Sequence, residues 1–101
     1  MIESKIVDPY VESYIKTLVP THTGLLGALE VYAEEHHVPI VQSEIAQYLK
    51  VMLKIKQPRA ILEIGTAIGY SASLMALEMQ SGIIETIELK EEMYQKASET
   101  F

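Results

Sequence analysis

Within the stretch "AILEIGTAIGYSA" a carboxylate (Glu63) lies in an apolar run, and two glycines (Gly65 and Gly69) and a serine (Ser71) lead from it into the start of a helix. A second carboxylate, Glu88, closes the next apolar run. Glycine at 65 and 69 lets the backbone take positive φ and approach a ligand with no Cβ in the way. The unpaired amides of the helix that follows suit an anionic group. A carboxylate at the tip of the next strand can accept two hydrogen bonds from a ribose diol, at the roughly 20-residue spacing dinucleotide folds use. The chemistry this order suits is the binding of a nucleotide-like cofactor. Glu63 lies inside an apolar strand, where an unpaired carboxylate is costly, so it requires a partner; a backbone amide of the loop is the expected one.

The elements that position these residues follow from patterning. Asp8 is a good N-cap with Pro9 at the first helical position, and Val11, Tyr14, Ile15 and Leu18 repeat at helical spacing until Pro20. A second helix is predicted over 23–37, with Leu25, Leu29 and Tyr32 on one face, and "VPIV" ends it. Ser43 is expected to cap a third helix with an apolar stripe of Ile45, Leu49, Met52 and Leu53, ended by Pro58. Residues 60–64 then read as a strand, 70–80 as a well-covered helix stopped by Gly82, 83–89 as a second strand, and the last segment as a helix with a Glu92–Lys96 pair. The fold class is α/β, helices followed by a right-handed βαβ unit with parallel strands. Residues 1–58 are expected to form a helical cap or dimerisation region and 59–101 a partial cofactor-binding unit. Two parallel strands cannot make a covered sheet, so the sequence reads as the first half of a larger fold.

Bulk composition narrows the function. Acidic residues outnumber basic ones 14 to 8, for a formal charge of -6, so the overall electrostatics do not attract a phosphate backbone. Cysteine is absent, which excludes disulfides and thiolate metal sites. The N-terminus lacks a signal-peptide layout and no apolar run approaches a membrane span, so a cytoplasmic protein with no membrane partner is expected. His36 and His37 point roughly 100° apart on a helix, without a third ligand at useful spacing, and read as surface residues, as does His22. Lys50, Lys54, Lys56 and Arg59 read as a solvated face, with no interleaved aromatics to suggest RNA.

The nicotinamide fingerprint would need glycine at 67 and 70, where Ala67 and Tyr70 stand. The pattern present, E-x-G-x-x-x-G from Glu63 to Gly69, resembles motif I of class I S-adenosylmethionine-dependent methyltransferases. More finely, "LEIGTAIGYSA" and the helical preamble ending in "VPIV" resemble the metal-dependent O-methyltransferases of the catechol and caffeoyl-CoA type. The resemblance implies a Rossmann-like sheet of which this chain carries only the N-terminal part. It implies S-adenosylmethionine as cofactor, with Glu88 on the ribose hydroxyls, Gly65 passing close to the ligand, and Thr66, Ala67, Ile68 and Gly69 lining the turn. Ser71 would contact the methionine end, or merely cap the helix. Glu63 would brace the loop or reach the cofactor amine through water, and Val41 would add contacts from "VPIV". It also implies magnesium held by residues of the fold's second half, so no metal ligand is assigned in this chain, and a homodimer. The overall look is similar to the bacterial members that methylate 5-hydroxyuridine in tRNA, which makes tRNA the favoured acceptor and a small catechol-like phenol the alternative. A non-catalytic fragment or self-association module is the reading from another class.

Overall fold

The computed structural model describes residues 7–101; residues 1–6, part of the segment in which no signal-peptide layout was read, lie outside them. The chain order is α1 (Pro9–Leu18), α2 (Gly24–Glu35), α3 (Ser43–Lys56), β1 (Ala60–Ile64), α4 (Tyr70–Glu78), β2 (Ile83–Ile87) and α5 (Glu91–Thr100). β1 and β2 pair in parallel, with Ala60 opposite Ile83, Glu63 opposite Thr86 and Ile64 opposite Ile87. The α/β class, helices followed by a parallel βαβ unit, is therefore as the patterning predicts.

Local chemistry accounts for most boundaries. The Asp8 carboxylate accepts the Tyr10 amide at 2.8 Å, with Pro9 in the first turn, so α1 begins where its sequence requires. α3 is capped one residue earlier than expected: Gln42 takes the extended N-cap conformation, and Ser43 is the first helical residue, its hydroxyl donating to Glu44. At its far end Gln57 turns left-handed (φ 47°) and Pro58 prevents continuation. α4 is shorter than predicted, ending at Glu78 with Met79 as cap, and Gly82 leads into β2 instead of stopping the helix. β2 likewise ends at Ile87, which leaves Glu88 as the first residue beyond the strand.

One core joins the helices to the βαβ unit. Leu26, Leu29 and Ala33 of α2, Ala46 and Leu53 of α3, and Ile68, Tyr70, Leu74 and Met75 around α4 are buried together. The α2 face that packs is thus Leu26–Leu29–Ala33, and Leu25 is exposed; on α3, Ala46 is buried where Ile45 is not. A close approach to α4 favours the small residue over the larger neighbour the periodicity points to. α4 is covered as expected. Sheet burial alternates with period two: Ile61, Glu63, Ile84 and Thr86 are half-buried, whereas Leu62, Ile64, Ile83 and Ile87 are 56–80% exposed. The Glu92–Lys96 pair does not form. The Lys96 ammonium instead lies 4.2 Å from the centroid of the Tyr32 ring and 3.9 Å from Glu99, a position that anchors α5 to α2.

Candidate functional site

The turn from β1 to α4 is built by three residues in left-handed conformations: Gly65 (φ 94°), Ala67 (φ 50°) and Gly69 (φ 88°), the last being the N-cap of α4. The two glycines do different work. A Cβ built on Gly65 meets nothing within 4 Å, so this position is open space that a ligand can approach. A Cβ on Gly69 would lie 3.0 Å from the Phe101 ring and 3.3 Å from Thr100, so this glycine also admits the end of α5. The Thr100 hydroxyl donates to the Ile68 carbonyl at 2.8 Å, and the Gly65 and Thr66 amides both donate to the Ile87 carbonyl, at 2.7 and 3.2 Å. Ile68 is fully buried and Thr66 nearly so. Ala67 holds a conformation that costs an L-residue about 1–2 kcal/mol.

What holds Ala67 there is Glu88. Its Oε1 accepts the Ala67 amide at 2.7 Å and its Oε2 the Lys90 amide at 2.9 Å. Those backbone bonds, the one from Lys90 foremost and then that from Ala67, keep the Glu88 carboxyl below its usual range. An ionised carboxylate has about four acceptor positions, so each oxygen keeps capacity for a further donor. The acid beyond β2 is thus both a clamp on the turn and an available acceptor.

Glu63 finds its partners in hydroxyls, not in the loop amide expected for it. Thr86, its register partner on β2, donates to Oε1 at 2.7 Å, and Ser71 donates to Oε2. Because the Thr86 proton is committed to Glu63, the 2.6 Å contact between Thr66 and Thr86 has Thr66 as donor. Ser71 therefore does not cap α4, whose N-cap makes no side-chain bond. Nothing in the sequence marks Thr86; only the parallel register, which sets it beside Glu63 on the α4 face, reveals it.

Glu63, Gly65, Thr66, Ala67, Ile68, Gly69, Ser71 and Glu88 are brought together by these bonds. Val41 is not part of that group: it lines a cavity of about 730 Å³ together with His22, Glu30, His37 and Tyr70. Tyr70, next in chain to Gly69, is the residue common to the turn and this cavity. His22 is not the bland surface residue its sequence context suggests. Its Nδ1 lies 2.7 Å from Glu30 Oε2 and its Nε2 2.5 Å from the Lys50 ammonium, and the Tyr70 hydroxyl donates to the same Glu30 oxygen. Lys50 is accordingly turned inward. His36 stacks on Tyr32 with ring centroids 4.0 Å apart. Among the described residues no group of three or more His, Asp or Glu side chains is placed to hold a metal ion. No helix among them is long and apolar enough to cross a membrane.

Comparison with known proteins supports the fold and gives the family. A family model described as O-methyltransferase matches residues 22–101. A methyltransferase from Geobacter sulfurreducens superposes with a TM-score of 0.82 at 25% identity, over 94% of this chain and 50% of that one. The O-methyltransferase TomG from Streptomyces achromogenes, involved in tomaymycin synthesis and solved with S-adenosylmethionine (SAM), gives 0.75 at 26% identity over 99% of this chain and 46% of its own. An O-methyltransferase from Bacillus cereus, in complex with SAH, gives 0.76 at 26% identity, over 90% and 43%. The chain thus spans half or less of the length of these structures.

Proposed function

The chain belongs to the O-methyltransferase family, and we propose that it supplies the methyl-donor half of an S-adenosylmethionine-dependent O-methyltransferase. The observation that carries this reading is the Glu88 carboxylate, held ionised beside the open face of Gly65 while it fixes the left-handed Ala67. When bound, S-adenosylmethionine supplies a sulfonium methyl group for in-line transfer to a hydroxyl oxygen.

In this reading Glu88 accepts from the ribose hydroxyls, and Gly65 lets Thr66, Ala67, Ile68 and Gly69 pass beneath the ligand. Glu63 holds Ser71, whose oxygen keeps acceptor capacity for the ligand's amine, and Val41 adds an apolar contact. Glu88, Ala67, Glu63 and Ser71 are fixed by hydrogen bonds within the protein before any ligand arrives, so little reorganisation of them opposes binding or transfer.

For the acceptor we favour 5-hydroxyuridine in tRNA, on the similarity of the overall sequence, including its acidic N-terminal helices, to the bacterial enzymes of that kind. A small catechol-like phenol is the second reading, favoured by the charge of -6 and by Lys50 being turned onto His22 and away from a basic surface. Homodimerisation through the helices belongs to the same proposal: α1 buries none of its residues and exposes Tyr10, Tyr14 and Leu18. The experiment is methylation of undermodified tRNA and of catechol by the whole protein that carries this chain. Product on tRNA is expected, and activity on the phenol alone would remove the tRNA assignment.

A further inference from the structure

Lysine ammonium is only a donor, so the Lys50 contact at 2.5 Å requires His22 Nε2 to be the acceptor. The imidazole proton then sits on Nδ1 and is donated to Glu30 Oε2 at 2.7 Å, the oxygen that also takes the Tyr70 hydroxyl at 2.5 Å. The relay runs from α3 through the segment before α2, and through α2 itself, to the first residue of α4. Tyr70 is buried, and burial first and Glu30 second keep its phenol protonated, hence a permanent donor. Gly27 seats the relay: a Cβ there would stand 2.9 Å from the His22 carbonyl oxygen.

We propose that Glu30 and His22 are positioning residues for the cofactor turn, acting through Tyr70, and that protonation of His22 loosens the turn and weakens methyl-donor binding. This rests on the donor-binding reading above. A proton on Nε2 would set two cationic donors face to face, His22 and Lys50. Either the ammonium or the ring must then move, and the ring takes Glu30 with it, because that ion pair has just gained a charge. The shared oxygen is drawn from Tyr70, whose backbone adjoins Gly69. The other titratable groups lining the same cavity are Lys16 of α1, Glu34 of α2 and His37 just beyond it. Glu88, kept below the usual carboxylate range, stays ionised through the interval in which histidines titrate.

The test is calorimetric titration of S-adenosylmethionine into the whole protein between about pH 7 and 5.5, an interval below the usual range of an α-amino group. Urea midpoints are measured at each pH so that binding is compared between folded samples. The wild-type affinity is expected to fall at least roughly threefold across this interval, and the fall to vanish in His22→Asn, which cannot be protonated. Tyr70→Phe, which keeps the ring, should weaken binding about three- to tenfold at pH 7, less than a full charged hydrogen bond because the ligand senses it through the backbone. Glu30→Gln should do the same; if it does not fold, Tyr70→Phe carries the test. A flat wild-type profile, or a slope that persists in His22→Asn, overturns the proposal. Binding lost in Glu88→Ala but insensitive to pH and to Tyr70→Phe overturns it alone, whereas no wild-type binding at pH 7 removes the donor-binding reading with it.

Discussion

Replacing Thr86 with valine isolates what holds Glu63. Valine keeps the branched shape and fits a strand at least as well, so the change removes hydrogen bonding and little else. Two interactions are lost. The bond from Thr86 to Glu63 Oε1, 2.7 Å long, goes to a charged group; such bonds contribute about 1.5–3 kcal/mol when buried, and a half-exposed carboxylate reduces that to about 1 kcal/mol. The Thr66 hydroxyl, on a residue only 4% exposed, loses its acceptor at 2.6 Å, which adds about 1 kcal/mol of unmet desolvation. The expected loss is about 2 kcal/mol, read from the urea midpoint at neutral pH with unchanged slope. In a Thr66→Val background the orphaned hydroxyl no longer exists, so the same change should cost about 1 kcal/mol, and Thr86→Ser should recover most of the loss. A loss below about 0.5 kcal/mol for Thr86→Val, within the scatter of surface substitutions, would refute the argument that Glu63 depends on these hydroxyls.

Gly65→Ala meets no steric obstacle but must adopt φ 94°, so it should destabilise by about 1–2 kcal/mol and weaken S-adenosylmethionine binding; a neutral effect on both would show that the turn tolerates another conformation. The folded-state pKa of Glu88 is depressed, so its clamp on Ala67 is fully present above the ordinary carboxylate value and is lost as pH falls through the lower folded value. The Glu88 carboxyl and the Ala67 amide should therefore titrate together in NMR spectra, with a common midpoint below the ordinary glutamate value, and independent midpoints would contradict the pairing. These 101 residues expressed by themselves should give no methyl transfer to tRNA or to catechol; turnover above background would mean that the acceptor site lies within them.

The order of helices, strands and turn is legible because each is marked locally: Asp8 and Pro9 open α1, Pro58 closes the stretch after α3, and Gly65 and Gly69 bracket the turn. So is the gathering of Glu63, Gly65, Ser71 and Glu88, since strand, turn, helix and strand in that order bring the ends of both strands together. What escapes a linear reading is whatever depends on pairing between distant segments. Thr86 matters because the parallel register puts it opposite Glu63, and nothing in "IIETIEL" distinguishes it from an ordinary strand threonine. His22, Glu30, Lys50 and Tyr70 come from four segments with no shared spacing, and only the packing of α2 and α3 against α4 assembles them. The choice of Ala46 over Ile45 and of Leu26 over Leu25 for the core reflects the same limit, because helical periodicity gives a face but not how closely a neighbour approaches it.

The claim on which the functional account depends is that Glu88 recognises the donor's ribose as well as bracing the turn, and a ligand-by-mutant cycle separates the two. Affinities of S-adenosylmethionine and of its 2′-deoxyribose analogue are measured calorimetrically for the whole wild-type protein and for Glu88→Ala. The account predicts that the wild type prefers the hydroxylated ligand by about 10- to 100-fold, the range for a hydrogen bond to a charged group, and that Glu88→Ala binds both weakly and nearly equally. Equal discrimination by the two proteins, whatever their absolute affinities, would mean that Glu88 serves only to hold the turn and that the ribose is read elsewhere.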